Sequence, residues 1–446
     1  MALSRPRLER YHSQMTVRNR YLLLALPLFA LALAACSWQG VTPAAAHNGA
    51  PSPVGYPAKH DGRYKVIYKF PGGAGGSYPV AALTFVNGVM YGTTWSGGDA
   101  STCDCGTVFA GTKVIYSFKG SAGHDGLGPS SSLLQVGNKF YGETGGGGNY
   151  GGTCSFYHAQ GCGTVYEVDA GGNERVVYRF KGGKDGQYPI GGLVSMNGTL
   201  YGVTNFGGGV KGCSYFYSSL PPGCGVIFSL NSSGREKVIY RFKGVPDGIY
   251  PRTALLPLDG KLYGMTEHGG RCYRTNGCGT VFAVTTSGKE SVIYSFKGGY
   301  DGDTPHSSLL WFDGSLWGTT LNGGCVGSCR STFGTIFKMS TSGKETVVHR
   351  FTDVPDGAYP GTPLAVAGNT IYGTTFSGGT GSPVGGTIFS VTSKGVKILH
   401  SLDGVTLQIQ PGLQGLVFDK STNALYGETY QGGSQYLGTI FRYGPR

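Results

Sequence analysis

Charge is scarce in this chain. Asp, Glu, Lys and Arg make up 13% of the residues, about half the usual share, so Gly, Ser, Thr, Asn and Tyr must cover much of the surface. Catalytic signatures are missing as well: there is no Gly-x-Ser-x-Gly elbow, no phosphate loop ending in Gly-Lys-Ser/Thr, no His-Glu-x-x-His and no dinucleotide fingerprint. No paired Cys-x-x-Cys and no His at zinc-ligand spacing occurs, so neither a metal nor another cofactor is expected. The net charge of +12 overstates the basic character, because Arg5, Arg7, Arg10, Arg18 and Arg20 against Glu9 put +4 of it in the first 35 residues. The remaining charges are spread one or two per repeat, often as Lys-Glu neighbours (Lys289-Glu290, Lys344-Glu345). No cluster resembles a nucleic-acid stripe, and nucleic acid is not an expected partner.

What is abundant is glycine, 81 of 446 residues, without a collagen period and with 12% aromatics. Seven aromatic-Gly pairs recur at spacings of 50 to 62: Tyr91-Gly92, Tyr141-Gly142, Tyr201-Gly202, Tyr263-Gly264, Trp317-Gly318, Tyr372-Gly373 and Tyr426-Gly427. Each is followed by a double glycine and then by a Gly-Thr-(Val/Ile)-(Phe/Tyr) step beginning at Gly106, Gly163, Gly225, Gly279, Gly334, Gly386 or Gly438, with Val226 replacing Thr once. A period of this length means one supersecondary unit used repeatedly.

Each unit shows four strand-like stretches, for example Ala254 to Leu258, Lys261 to Thr266, Gly279 to Val284 and Ser291 to Phe296. Short β-branched and aromatic runs between Gly turns mark antiparallel hairpins. The expected fold is therefore all-β, a seven-bladed β-propeller of four-stranded blades. Lys65 to Phe70 is a fourth strand with no blade before it, and the last unit supplies only three strands. The N-terminal strand is expected to pair into the C-terminal blade and close the ring. A solenoid, the alternative, would need distinct polar caps.

The motifs Tyr-x-Phe, Asp-Gly-x-x-Pro, Tyr-Gly-Thr-Thr, Gly-Gly and Gly-Thr-Val-Phe, whole or nearly so in Val292 to Phe337, resemble the GloVer tandem-repeat family of exported bacterial proteins. The resemblance implies varied modes of surface anchoring and brings no agreed activity. The first unit departs from it with Gly75-Gly76-Ser77-Tyr78-Pro79, and the last puts Asp403-Gly404 seven residues before Pro411.

Arg18 and Arg20 precede Tyr21 to Ala35, an apolar run of 15 residues, too short to span a membrane, and then Leu33-Ala34-Ala35-Cys36. This reads as a lipoprotein signal (residues 1–35, with Met1 or Met15 as start) and lipidation at Cys36; the alternative is an ordinary signal peptide. Ser37 after the Cys points to the outer membrane. Residues 36–62, rich in Ala, Pro and Gly, read as a flexible tether, and 63–446 as the propeller. A monomer is expected, touching the membrane through the lipid only.

The loops between second and third strands are long and variable, which makes their face the expected functional one. With Cys36 set aside, ten of 11 cysteines fall two to a loop: Cys103/Cys105, Cys154/Cys162, Cys213/Cys224, Cys272/Cys278 and Cys325/Cys329. Local disulfides are the simplest pairing, each worth about 2–3 kcal/mol. Cys103/Cys105 is the least favoured of the five pairs, since i,i+2 residues of an extended chain are far apart and badly aimed. Aromatics gather in the same loops. Trp95, Phe206, Phe376 and Tyr430 follow second strands, and Phe156, Tyr157, Tyr215, Phe216, Tyr217 and Tyr273 lie among the cysteines. Such side chains grip a sugar ring or a protein partner, or simply cover their own loops. Glu143, Glu267 and Glu428 end second strands, with His268 beside Glu267; a facing pair would serve as acid and base on a glycosidic bond. Asp125, Asp185, Asp247, Asp301 and Asp356 recur too regularly to be catalysts and read as turn formers. Asp301-Gly302-Asp303 lacks the oxygen set of a calcium loop. The leading expectation is a surface-anchored module binding an extracellular polysaccharide or an envelope protein. The alternatives are a carbohydrate-active lyase or hydrolase, or a structural envelope component.

Overall fold

The structure is a computed structural model describing residues 63–99, 103–148, 154–156, 159–210, 213, 223–325, 332–380, 384–403, 410–411 and 415–444. The leader, Cys36, the tether, Tyr157, Tyr217 and Cys329 lie outside the described residues.

Seven antiparallel sheets follow one another along the chain, one per repeat. Blade 4 shows the plan. Lys261–Gly269 pairs with Thr280–Thr285, which pairs with Glu290–Ser295 at the outer edge. The inner strand comes in two pieces, Gly248–Pro251 and Leu256–Leu258, both paired to Lys261–Gly269. From sequence only the second piece is expected in the sheet, with the Asp-Gly-x-x-Pro segment as a turn; both pieces are strand. Proline lacks the N–H that would continue the ladder, so the chain leaves the sheet after Pro251 and returns four residues later. Blade 7 is completed by Tyr64–Lys69, paired antiparallel with Thr439–Tyr443, so the first strand closes the ring as expected.

The repeated motifs each have a packing cause. Gly264 faces Phe282 across the ladder, and a Cβ on Gly264 would lie 2.5 Å from the Phe282 ring. The aromatic folded over glycine recurs in Gly202/Phe228, Gly318/Phe337 and Gly427/Phe441. The buried Thr of Tyr-Gly-x-Thr meets the Thr of Gly-Thr hydroxyl to hydroxyl at 2.7–3.0 Å in six blades. In blade 3, Val226 keeps the shape without the hydroxyl, and Thr204 keeps only the bond to the carbonyl two residues on, Phe206, that its counterparts in other blades also make.

Between blades, the Phe of Tyr-x-Phe packs on the aromatic of the next blade's third strand. Six seams carry such a pair, from Phe118/Tyr166 at 4.9 Å to Phe70/Phe109 at 5.5 Å. A second clasp lies nearer the axis. The residue before each Pro (Tyr78, Gly128, Tyr188, Tyr250, Thr304, Tyr359) has φ of 58–63° and donates its N–H to the preceding blade at 2.8–3.0 Å. In four of the six, the acceptor is the carbonyl of a disulfide cysteine, Cys105, Cys162, Cys224 or Cys278. The disulfides therefore brace the seams. Cys103 and Cys105 do pair: the chain bends at Asp104, bringing the two Cα atoms to 5.2 Å, which removes the poor aim of an extended i,i+2 pair. Cys325 is also oxidised.

The recurring Asp works harder than a turn former. At four consecutive seams the Tyr of Tyr-x-Phe donates to it at 2.6–2.9 Å, and a Lys backbone N–H does so at 2.7–3.1 Å. The next blade adds Glu174, Glu236, Glu290 or Glu345, each with one buried, unpaired carboxyl oxygen. Burial, reinforced by the neighbouring Asp, pushes each of these glutamates up to about 7. Unfolded, they ionise at the ordinary Glu value of roughly 4.3. Between those values the folded chain holds more protons, so its stability falls as pH rises through the window. The melting temperature is expected to be higher at pH 5.5 than at pH 7.5, and Gln at all four positions should flatten the difference. A melting temperature rising with pH over that range would contradict it.

Candidate functional site

Strand alternation sends the residue two past each Tyr-Gly-x position toward the same face in all seven blades: Trp95, Gly145, Asn205, Glu267, Leu321, Phe376 and Tyr430. In blades 7, 1 and 2 this residue meets the left-handed residue before the next blade's Pro. Tyr430 stacks on Tyr78 at 5.0 Å. Trp95 lies over Gly128, whose missing Cβ would be 3.1 Å from the indole. Tyr188 and Trp95 both flank Gly145, where a Cβ would stand 2.8 Å from Tyr188. A crescent of four partly exposed aromatics, Tyr78, Tyr430, Trp95 and Tyr188, thus runs across blades 7 to 3.

The crescent ends at charged groups. Burial raises the hydroxyls of both Tyr430 and Tyr188, and the Arg252 charge pulls Tyr188 back down. Arg252 pairs with Glu267 at 3.3 Å, both largely buried. Burial works against the Glu267 charge, but Arg252, His268 and His306 outweigh it and hold the carboxyl below its ordinary value. His306 is pushed down to about 4 by burial, so it is neutral at pH 7. Its Nδ1 lies 3.3 Å from the Gly361 carbonyl, which only accepts; Nδ1 therefore carries the proton and Nε2 is an acceptor. Arg252, Thr253, His306 and Ser308 line a cavity of about 10 Å³ together with Ile190, Gly191 and Pro363, drawn from the inner segments of blades 3 to 6. That is room for roughly one water at the axis.

Of the residues singled out in the sequence, Trp95, Tyr430 and Glu267 come together here. Phe206 touches the crescent without being exposed on it: it is buried, with its ring 6.0 Å from Tyr188 and 5.1 Å from Tyr250, and Cys213 and Cys224 lie in the same cluster. Phe376 is buried over Gly361. Tyr273 is 73% exposed on the blade 4 loop. His268 lies on the other face of its strand from Glu267, against Tyr250, and burial lowers it to about 4. Glu143 and Glu428 occupy one repeat position on either side of blade 1, both buried. Glu143 accepts the Gly192 N–H at 3.0 Å, and Glu428 lies against the Ala81 amide. Burial raises Glu143 to about 8, so it is largely protonated at neutral pH, and raises Glu428 well above its ordinary value. The three glutamates thus do not form a facing pair: Glu267 is bound to Arg252 and Glu143 to the Gly192 amide, while both Glu428 oxygens are buried without a hydrogen bond. Arg252 and His306 were missed in the sequence, because the positions after Pro differ in every repeat.

The described residues make a seven-bladed β-propeller with an aromatic and ionic site on its long-loop face. The chain belongs to the Gloeobacter/Verrucomicrobia repeat family, whose model matches residues 40–221 and 148–385. Disulfides and family together point to an extracellular protein. No curated protein matches it. Among solved structures it is similar to Saccharomyces cerevisiae Sqt1 (10% identity, 82% of each chain, TM-score 0.45). It is similar also to a gluconolactonase from Xanthomonas campestris (14%, 63% of this chain and 79% of that one, 0.36). A third likeness is to Trypanosoma rangeli sialidase (7%, 85% and 58%, 0.43). Likenesses this distant say nothing of activity.

Proposed function

We propose that the protein is a carbohydrate-binding propeller of the cell envelope that takes a polysaccharide across its long-loop face. The observation carrying this reading is the crescent of Tyr78, Tyr430, Trp95 and Tyr188 beside the Arg252–Glu267 pair. Flat rings stack on sugar rings, and adjoining charged groups take their hydroxyls. The catalytic alternative draws less support, because Glu143 and Glu428 are enclosed, with burial raising both carboxyls, and Glu267 is tied to Arg252. The strand Tyr64–Lys69 enters its blade from the hairpin side, opposite the crescent.

The test is an array of bacterial and plant polysaccharides, scored for retained protein and for released reducing or unsaturated ends. Retention without release is expected, weakened about tenfold or more by Trp95→Ala with Tyr430→Ala. Release abolished by Glu143→Gln or Glu267→Gln would replace the reading with an enzyme. Silence would favour an envelope protein as partner, or a structural role.

A further inference from the structure

The ring gathers charges that the sequence scatters. Lys119, Lys181, Lys243 and Lys297 occupy one repeat position, each directly after a buried Phe at the end of an outer strand. Alternation turns all four outward, and all four are exposed. Their backbones are fixed, since each N–H donates to the recurring Asp. These strand ends lie on the long-loop face: the double glycine of each long loop donates to the link that follows the preceding blade's outer strand, as Gly148 does to Asp125, Gly208 to Gly183 and Gly270 to Asp247. Lys184 is exposed on one such link. Arg179 donates to the His124 carbonyl at 2.7 Å and Arg350 to that of Tyr300 at 3.2 Å, which fixes two more cations there.

The acids near this rim offset these groups only in part: the half-buried Glu174, Glu290 and Glu345 feel the charges of Lys119, Lys243 and Lys297, and Asp303 pairs with Arg274. Asp125, Asp185, Asp247 and Asp301 turn inward to tyrosine hydroxyls and backbone amides. The long loops of blades 2 to 5 contain no Asp or Glu but hold Lys211, Arg271, Arg274 and Arg330. Blade 1 differs, with Asp99 and Asp104 in its loop. On the same arc, Tyr273 is held rigid. Its hydroxyl accepts from Arg274 at 3.2 Å, Arg274 is ion-paired to Asp303 at 2.8 Å, and the Cys272–Cys278 bridge closes the loop. Tyr300, 59% exposed, stands on the adjoining link.

We infer that this rim selects anionic polysaccharides, whose carboxylate or sulfate groups lie along the lysine arc while a sugar ring rests on Tyr273. This rests on the carbohydrate-binding reading above and adds the charge class of the ligand. An exported, cystine-braced surface favours an acidic glycan over nucleic acid.

The purified protein would be titrated with polygalacturonate, dextran sulfate and neutral dextran, with duplex DNA as a further arm. Both acidic chains, or one of them, should bind about tenfold or more tighter than dextran and weaken between roughly 50 and 200 mM salt. Gln at Lys119, Lys181, Lys243 and Lys297 together should remove that advantage while leaving the melting temperature unchanged; Tyr273→Ala should weaken both acidic and neutral binding. Polygalacturonate alone would identify carboxylates, and dextran sulfate alone sulfates. Equal binding of neutral and acidic chains would overturn this inference and leave the carbohydrate reading standing. Acidic binding indifferent to the four substitutions would also overturn it. Duplex DNA bound as tightly through the same lysines would show a general polyanion surface and refute the glycan selection. No binding in any arm would sink both readings.

Discussion

Replacing Gly279 by alanine is expected to cost about 3–5 kcal/mol, enough to unfold much of a protein of ordinary stability. Gly279 opens the third strand of blade 4 with φ of 98°, a backbone region closed to L side chains. A Cβ there would lie 2.7 Å from both the Thr266 carbonyl oxygen and Cγ of Pro305, which belongs to the next blade. The substitution therefore breaks a strand and a seam together, including the Thr304 N–H to Cys278 carbonyl bond. Gly260 is the control. It too has positive φ, 72°, but sits in an open hairpin turn with nothing within 4 Å of a built Cβ. Alanine there should cost only about 1 kcal/mol, the backbone penalty alone. Urea unfolding of the two variants checks the difference, and equal losses would mean that the seam contributes nothing.

Arg252→Met is expected to destabilise by about 3–5 kcal/mol, because it strands the Glu267 carboxylate in a buried site. Glu267 is 7% exposed, and no other ion pair reaches it among the described residues. The double variant Arg252→Met with Glu267→Gln should recover most of that loss, since no charge is then left behind. If the single variant melts like the wild type, Glu267 has taken up a proton or turned to solvent, and the ionic end of the site is not as described.

Much of the fold is legible because each blade repeats the same solutions. Tyr-Gly opposite Gly-Thr-Val-Phe marks a glycine covered by an aromatic from the facing strand, as in Gly264 and Phe282. The orphan strand Tyr64–Lys69 signals its own partner, Thr439–Tyr443. The split inner strand was not legible, because Gly248–Pro251 looks like turn chemistry and forms its ladder through backbone groups alone. The site is less legible than the fold for a related reason. Arg252 and His306 stand where other blades have Val80, Ser130, Ile190 and Gly361, so no repetition marks them. Nor does spacing along the chain reveal the lysine arc: one lysine per repeat looks dispersed until the repeats are bent into a ring.

The most direct test is a crystal of the protein grown with a short acidic oligosaccharide. A sugar ring is expected against Trp95, Tyr188 or Tyr430, with the chain leaving toward Lys181, Lys243 and Tyr273. An oligosaccharide seated on the hairpin face, or a long-loop face left bare while the sugar binds elsewhere, would contradict it.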